Sequence, residues 1–228
     1  MNEVPIEQAL EDFQDQNADP LHRLHALVVI VQQFKPNYLE MLQSIFQNPQ
    51  EHPDVRSSVA LAIAKVGGPQ AFDILKNYSH DEDITVKNHV IEALAHTLNA
   101  EALPLLVEAL SDQNNYVFAS ATDGLSLFGD AAIPSLIALL SSPRDDLRCV
   151  GAWKLGELAA PEAIEALLAT LQTESNPEVI CLCVWALGEI GVYDEVIMDR
   201  LHVAQQHDNP DIHRRATWAI RKITRHIN

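Results

Sequence analysis

Residues 149–158 read CVGAWKLGEL and residues 181–190 read CLCVWALGEI. Both windows open on Cys, put Trp in the fifth place and close on Leu-Gly-Glu-aliphatic. Residues 214–223, RRATWAIRKI, keep the Trp and its aliphatic frame but carry Arg and Lys where the others have Cys and Glu. The chain has 3 tryptophans in all, so every one of them occupies this slot. A residue recurring in register marks a repeat architecture, in which each unit is one supersecondary element that stacks on its neighbours.

Working outward, the repeats align on the aliphatic residue that follows each Asp-, Asn- or Pro-rich break: Leu21, Val55, Val86, Val117, Leu147, Val179 and Ile212. Differences between successive anchors are 34, 31, 31, 30, 32 and 33 residues. Counting each anchor as position zero, position 8 holds Val29, Ile63, Leu94, Leu125, Leu155, Leu187 and Ile220. Apolar residues at positions 0, 4, 8 and 11 follow a helical period, not the alternation of a strand. In the Trp153 helix this stripe is Leu147, Gly151, Leu155 and Leu158, and it leaves out Val150 and Lys154. Each unit holds a second amphipathic segment, as at Ala102–Leu110, Ala132–Leu140 and Ala163–Leu171. Asp19-Pro20, Asn176-Pro177 and Asn209-Pro210 put a capping residue before a proline that can open a helix. Gly67-Gly68, Gly129 and Gly191 stand where the preceding helix should stop. No unit can bury its stripe alone. The pattern predicts an all-α chain, a right-handed α-solenoid of about seven helix pairs, with residues 1–228 forming a single repeat domain.

Composition agrees. The chain is 47% hydrophobic but only 6% aromatic, a mix that suits close helix-on-helix packing. Its net charge of −17 argues against nucleic-acid binding, which needs a positive footprint. The last predicted helix is the local exception, with Arg214, Arg215, Arg221, Lys222 and Arg225. Met1–Phe13 has neither a basic start nor an apolar run, so no signal peptide is expected. The apolar run around Ala26–Val31 is too short for a transmembrane segment. The 3 cysteines show no framework spacing, which fits a cytoplasmic protein.

The run Asp-x-Leu-Arg-x-x-Gly-Ala-Trp-x-Leu-Gly-Glu-Leu at Asp145–Leu158, echoed in part by Asp54-Val55-Arg56 and Val86-Lys87, resembles the HEAT-like repeats of the phycobilisome (phycobiliprotein) lyase type. The resemblance covers nearly the whole chain, with Met1–Pro36 and Tyr116–Phe128 the poorest match. It implies that the anchored helices line a concave groove. It also implies a phycobiliprotein, a bilin or a second HEAT-repeat subunit as partner. These repeats specify fold strongly and function weakly.

Position 6 lies opposite the core stripe and holds Leu27, Leu61, Glu92, Asp123, Trp153, Trp185 and Trp218. Position 2 shares that face and holds Arg23, Ser57, Asn88, Ala119, Cys149, Cys181 and Arg214. The candidate binding face is therefore Trp153, Trp185, Trp218, Cys149, Cys181, Arg214 and Arg221, rimmed by Glu157 and Glu189. Large amphipathic rings make good interface anchors, while the alternative use of each Trp is to cover the joint between adjacent helices. Cys149 and Cys181 take equivalent slots and are expected to lie near each other, with Cys183 turned to the core. Arg56, Lys87 and Arg148, one place after their anchors, are expected to pair with a neighbouring acid or cap a loop carbonyl.

His89, Glu92 and His96 share one helix face, with Asp123 one repeat on, which makes them the candidate metal ligands. The bland reading is a solvated polar face, and no His-Glu dipeptide of the di-iron hydroxylase kind occurs. No phosphate loop, nucleophile elbow or dinucleotide fingerprint is present. The favoured reading is a binding or adaptor protein with no catalytic residues and no resident cofactor, a bilin being at most a transient ligand. The alternative is a bilin lyase subunit, with the tryptophans stacked on pyrrole rings and Arg214 or Arg221 on propionates. A third reading is an accessory factor for iron–sulfur or metal handling through Cys149 and Cys181.

Overall fold

The computed structural model describes residues 5–33 and 38–225. Residues 1–4 of the stretch read for a leader, and residues 34–37, lie outside them. The described residues form fourteen α-helices in seven consecutive pairs. In chain order these are α1 (Ile6–Gln14) with α2 (Pro20–Gln32), α3 (Tyr38–Phe46) with α4 (Pro53–Val66), and α5 (Gly68–Leu75) with α6 (Ile84–His96). Then come α7 (Ala102–Ala109) with α8 (Asn115–Leu127), and α9 (Ile133–Leu139) with α10 (Asp145–Glu157). The last pairs are α11 (Ile164–Thr173) with α12 (Pro177–Ile190), and α13 (Glu195–Gln205) with α14 (Pro210–Thr224). The all-α helix-pair architecture read from the period is the one that forms.

Helix ends fall where local chemistry puts them. Asp19, Asn176 and Asn209 each accept a backbone N–H from two residues on, at 2.8, 2.9 and 2.9 Å, satisfying donors that the first helical turn leaves free. Gly191 closes α12 in the left-handed region at φ 72°, which a Cβ would resist. No helix of the described residues is long and apolar enough to cross a membrane.

The chain divides into two compact units, residues 1–128 and 129–228. Within the first, α2, α4, α6 and α8 pack in succession, flanked by the shorter first helices of each pair. Within the second, α10, α12 and α14 do the same, with α9 on α10, α11 on α12 and α13 on α14. The anchors Val55, Val86, Val117, Val179 and Ile212 are fully buried, as are Ile63, Leu94, Leu125 and Leu155 at position 8. In α10 the buried arc is wider than the expected stripe, because Val150 and Lys154 are buried too. A helix covered by neighbours on two sides has more than one inward face.

The first repeat corrects the alignment. Leu21 is 60% exposed, whereas Arg23, expected on the open face, is 2% exposed. Shifting this unit by one residue aligns Arg23 with Arg56, Lys87 and Arg148, and puts Ile30, not Val29, beside Ile63. Position 6 of the first repeat then becomes the exposed Val28 instead of the buried Leu27. What defines the register is an ion-pair ladder. Arg23 grips Glu51 through two bonds of 2.6 and 2.8 Å and donates from Nε to the Phe13 carbonyl at 2.9 Å. Arg56 repeats this on Asp81 at 2.6 Å and on the Phe46 carbonyl at 3.0 Å. Lys87 reaches Asp112 at 3.1 Å, and Arg148 reaches Glu174 at 2.7 Å and the Ser142 carbonyl at 2.9 Å. Each cation ties the start of one long helix to the loop that precedes the next long helix.

The ladder gives a pH dependence with a definite sign. Burial pushes the Glu51 carboxyl up, but the Arg23 guanidinium and the His52 N–H more than offset it and hold the group below its ordinary value of 4.5. Glu174 is likewise held low against burial by Arg148 and by the Asn176 and Ser175 N–H groups. The Asn114 N–H lowers Asp112, with Lys87 adding to it against burial. A carboxylate whose folded pKa is depressed stabilises the fold above its unfolded pKa, and that stability is lost as pH falls through the folded value. Stability is therefore expected to be flat near neutrality and to fall once pH drops below 4.5. Thermal unfolding followed over about pH 3 to 6 checks this, and Glu174→Gln should flatten the slope.

Gly151 is a close-packing residue. A methyl on it would lie 2.8 Å from the Leu136 carbonyl oxygen and 3.1 Å from Leu139 Cβ, contacts on α9 that no rotamer change relieves. Gly151→Ala gains about 1 kcal/mol of helix propensity but incurs overpacking of about 1–3 kcal/mol. A net loss of about 1 kcal/mol in urea unfolding is expected.

Candidate functional site

The tryptophan slot opens onto a cleft between α12 and α14. Its volume is about 810 Å³, and its walls include Cys181, Trp185, Arg214, Arg215 and Trp218, with Pro177, Glu178, Asn209 and Asp211 at the helix starts. Asn176 and Asn209 each cap the start of their own helix, and residues from both helix starts line this end of the cleft. Arg214 is steadied by Asp211 at 2.6 Å while remaining largely exposed. Arg215 makes no ion pair among the described residues.

Each indole is half covered. Trp218 is 37% exposed, Trp153 is 38% exposed, and Trp185 is half-buried. The covered part rests on the preceding helix: Trp185 lies over Gly156 and Trp218 over Gly188. These are the glycines of the two Leu-Gly-Glu motifs. Trp185 and Trp218 thus cover the joint with the preceding helix while part of each ring stays open to solvent.

Of the nine candidate binding residues, Cys181, Trp185, Arg214 and Trp218 come together in the cleft. Arg221 lies in an adjoining recess of about 540 Å³ that shares Arg214 and Trp218 and adds Thr217, Lys222 and Arg225. Cys149, Trp153 and Glu157 belong to α10 and are not among the cleft's walls. Glu157 accepts from Lys154 at 3.0 Å, and that buried ammonium also sits 3.9 Å from the Trp153 ring centre. Glu189 pairs with Lys222, whose ammonium lies 5.1 Å from the Trp218 ring centre. Both rim acids thus face a lysine. Arg215, Asp211 and the two seating glycines were not among the candidate binding residues, although Arg215 stood in the basic cluster of the last helix. The first two were visible as charges beside a repeated Asn-Pro cap. The glycines stood in the quoted motif itself.

The thiols are poorly ionised. Burial is the main cause for all three, pushing Cys149 up to about 11 and Cys183 up to about 12, with Cys181 raised as well. Cys183 is fully buried, as its spacing implied. Cys149 lies near enough to Cys183 for its charge to raise that pKa further. Alkylation by iodoacetamide near neutral pH is expected to be slow at every site, and Cys183 should react only on unfolding. Peptide mass spectrometry of native against denatured protein checks this. Rapid native labelling of Cys183 would contradict it.

The metal candidates separate. Glu92, His96 and Asp123 line a recess of about 330 Å³ in the first unit with Ser120. His89 is not among its walls, and its Nδ1 lies 2.8 Å from the Thr85 carbonyl of its own helix. Among the described residues no three His, Cys, Asp or Glu side chains converge as a metal site.

The model of the HEAT repeats matches residues 7–95, 74–151 and 133–221. Phycocyanobilin lyase subunit beta of Thermosynechococcus vestitus is 29% identical over 136 residues, covering 56% of this chain and 62% of that protein. The chain thus spans under two thirds of that relative's length. Bilin biosynthesis protein PecF of Nostoc sp. is 28% identical over 143 residues, covering 56% of this chain and 83% of that one. The solved complex of CpcE and CpcF of phycocyanin lyase from Nostoc sp. aligns with 99% of this chain and 89% of its own at a TM-score of 0.52 and 16% identity. A structure of Kap95p with RanGDP aligns with 96% of this chain and 34% of its own at a TM-score of 0.66 and 14% identity. At such identities the two structures are evidence of a shared fold alone.

Proposed function

The chain belongs to the HEAT-repeat family, and on that premise we propose that it is a binding subunit whose α12–α14 cleft receives a bilin, free or carried by a phycobiliprotein partner. The observation that carries this reading is the cleft wall: two indoles, Trp185 and Trp218, beside the guanidinium groups of Arg214 and Arg215. An open-chain tetrapyrrole is flat, conjugated and carries propionates. Indole faces suit its rings and guanidinium forks suit its carboxylates. The similarity to a phycocyanobilin lyase subunit and to a bilin biosynthesis protein supports the same ligand class. The raised thiol pKa values support a binding role without a covalent step on this chain's own cysteines.

The second reading, a bilin lyase subunit working with a second HEAT-repeat chain, is favoured by the similarity to phycocyanobilin lyase subunit beta. In it the same cleft would present the bilin while the partner subunit or the client supplies the reacting group. Titration of the purified protein with phycocyanobilin tests what the two readings share. A red-shifted, structured absorption band at micromolar protein is expected, and an unchanged spectrum would overturn both. Adding the apo-phycobiliprotein then separates them, since transfer of the bound bilin to the client favours the lyase reading.

A further inference from the structure

We infer that Gly156 and Gly188 are positioning residues that fix the pose of Trp185 and Trp218, so that the cleft presents a preset pair of indoles. The inference deepens the proposed use of the cleft and rests on it for its binding consequence, but its structural basis is independent.

Position 9 of one long helix meets positions 6 and 7 of the next. A methyl built on Gly156 would lie 2.5 and 2.8 Å from Trp185 Cζ3 and Cε3, and 3.0 Å from Ala186 Cα. One built on Gly188 would lie 2.6 Å from Trp218 Cζ3 and 3.0 Å from Ala219 Cα. The two joints thus share one geometry, with the benzo edge of each ring filling the space a side chain would take. Where position 9 is Ala64 or Ala95, position 6 of the next helix is Glu92 or Asp123, and no ring is seated. At the Ala95 joint the glycine is instead Gly124 on the later helix, where a methyl would come within 2.8 Å of Ala95 Cβ. At the two joints inside the second unit, the half-exposed indole of the later helix stands against a glycine of the earlier one.

A ring wedged along one edge has lost its rotamer freedom before any ligand arrives, so less is lost on binding. Trp218 is also held from its face by Lys222, itself anchored on Glu189. Neither indole N–H of Trp185 or Trp218 donates to a protein acceptor among the described residues, which leaves both for a ligand carbonyl or carboxylate.

The test places Gly156→Ala in a Trp153→Phe, Trp218→Phe background, so that emission reports Trp185 alone. With helicity unchanged by circular dichroism, a red shift of the emission maximum and stronger acrylamide quenching are expected. Phycocyanobilin affinity, measured in the otherwise wild-type chain, should fall about tenfold. Gly156→Ala added to Trp185→Ala should cost no further affinity, which a purely structural role for the glycine would not give. Unchanged emission and quenching overturn the inference. If Gly156→Ala alone fails to fold, Gly156→Ala with Trp185→Leu decides it: recovery supports the seat and continued unfolding overturns it. Absence of phycocyanobilin binding by the wild-type chain would remove the proposed function while the fluorescence arm still decides the seat.

Discussion

Arg23→Ala is expected to lower the unfolding free energy by about 3–5 kcal/mol, the loss typical of removing one partner from a buried ion pair. Both side chains of the Arg23–Glu51 pair are almost wholly shielded from water, and they meet through two short bonds. Arg23 also caps the Phe13 carbonyl and stacks 5.7 Å from the Phe13 ring centre. Its removal therefore strands a buried carboxylate and a carbonyl acceptor together. The double change Arg23→Met with Glu51→Leu should lose much less, because no unpaired charge remains. Urea unfolding of the three chains measures the difference. A loss under about 1 kcal/mol for Arg23→Ala, the range of an exposed pair, would show that the ladder does not hold the repeats together.

Trp185→Ala is expected to weaken phycocyanobilin binding by about 2 kcal/mol or more, roughly 30-fold, as for a hot-spot aromatic at the centre of a cleft. Its stability cost should be smaller, about 1–2 kcal/mol, because the ring is half-buried and a fully buried Trp would lose more. Trp153→Ala supplies the control, since Trp153 belongs to α10 and is not among the cleft walls. Its affinity should stay near that of the parent. Global unfolding of Trp185→Ala would instead return the residue to the core.

Much of the fold was legible because helix period and capping chemistry are local. Asn176-Pro177 and Asn209-Pro210 cap helices as their residue types require, and Arg148 finds an acid because the repeat places one in the loop before the next long helix. The first repeat was misaligned by one residue because Leu21 is as apolar as a true anchor. The deciding fact is the distant Glu51, whose pairing buries Arg23. The candidate site was legible as a column of side chains, but not in how its members are tied. Glu189 read as a rim acid, and its lysine partner comes from the next long helix, a meeting that helix phase sets. Gly156 read as a family signature. Its physical reason becomes visible only when Trp185 is laid over it. Equal slots placed Cys149 near Cys181, and the charge of Cys149 also bears on Cys183, two residues on, which the slots alone did not suggest.

Hydroxyl-radical footprinting with and without phycocyanobilin tests the location of binding most directly, because indoles and thiols are both reactive probes. Protection is expected at Trp185, Trp218 and Cys181, with Trp153 unchanged. Equal oxidation of Trp185 and Trp218 in both states, or protection confined to residues 5–128, would contradict the assignment of the α12–α14 cleft.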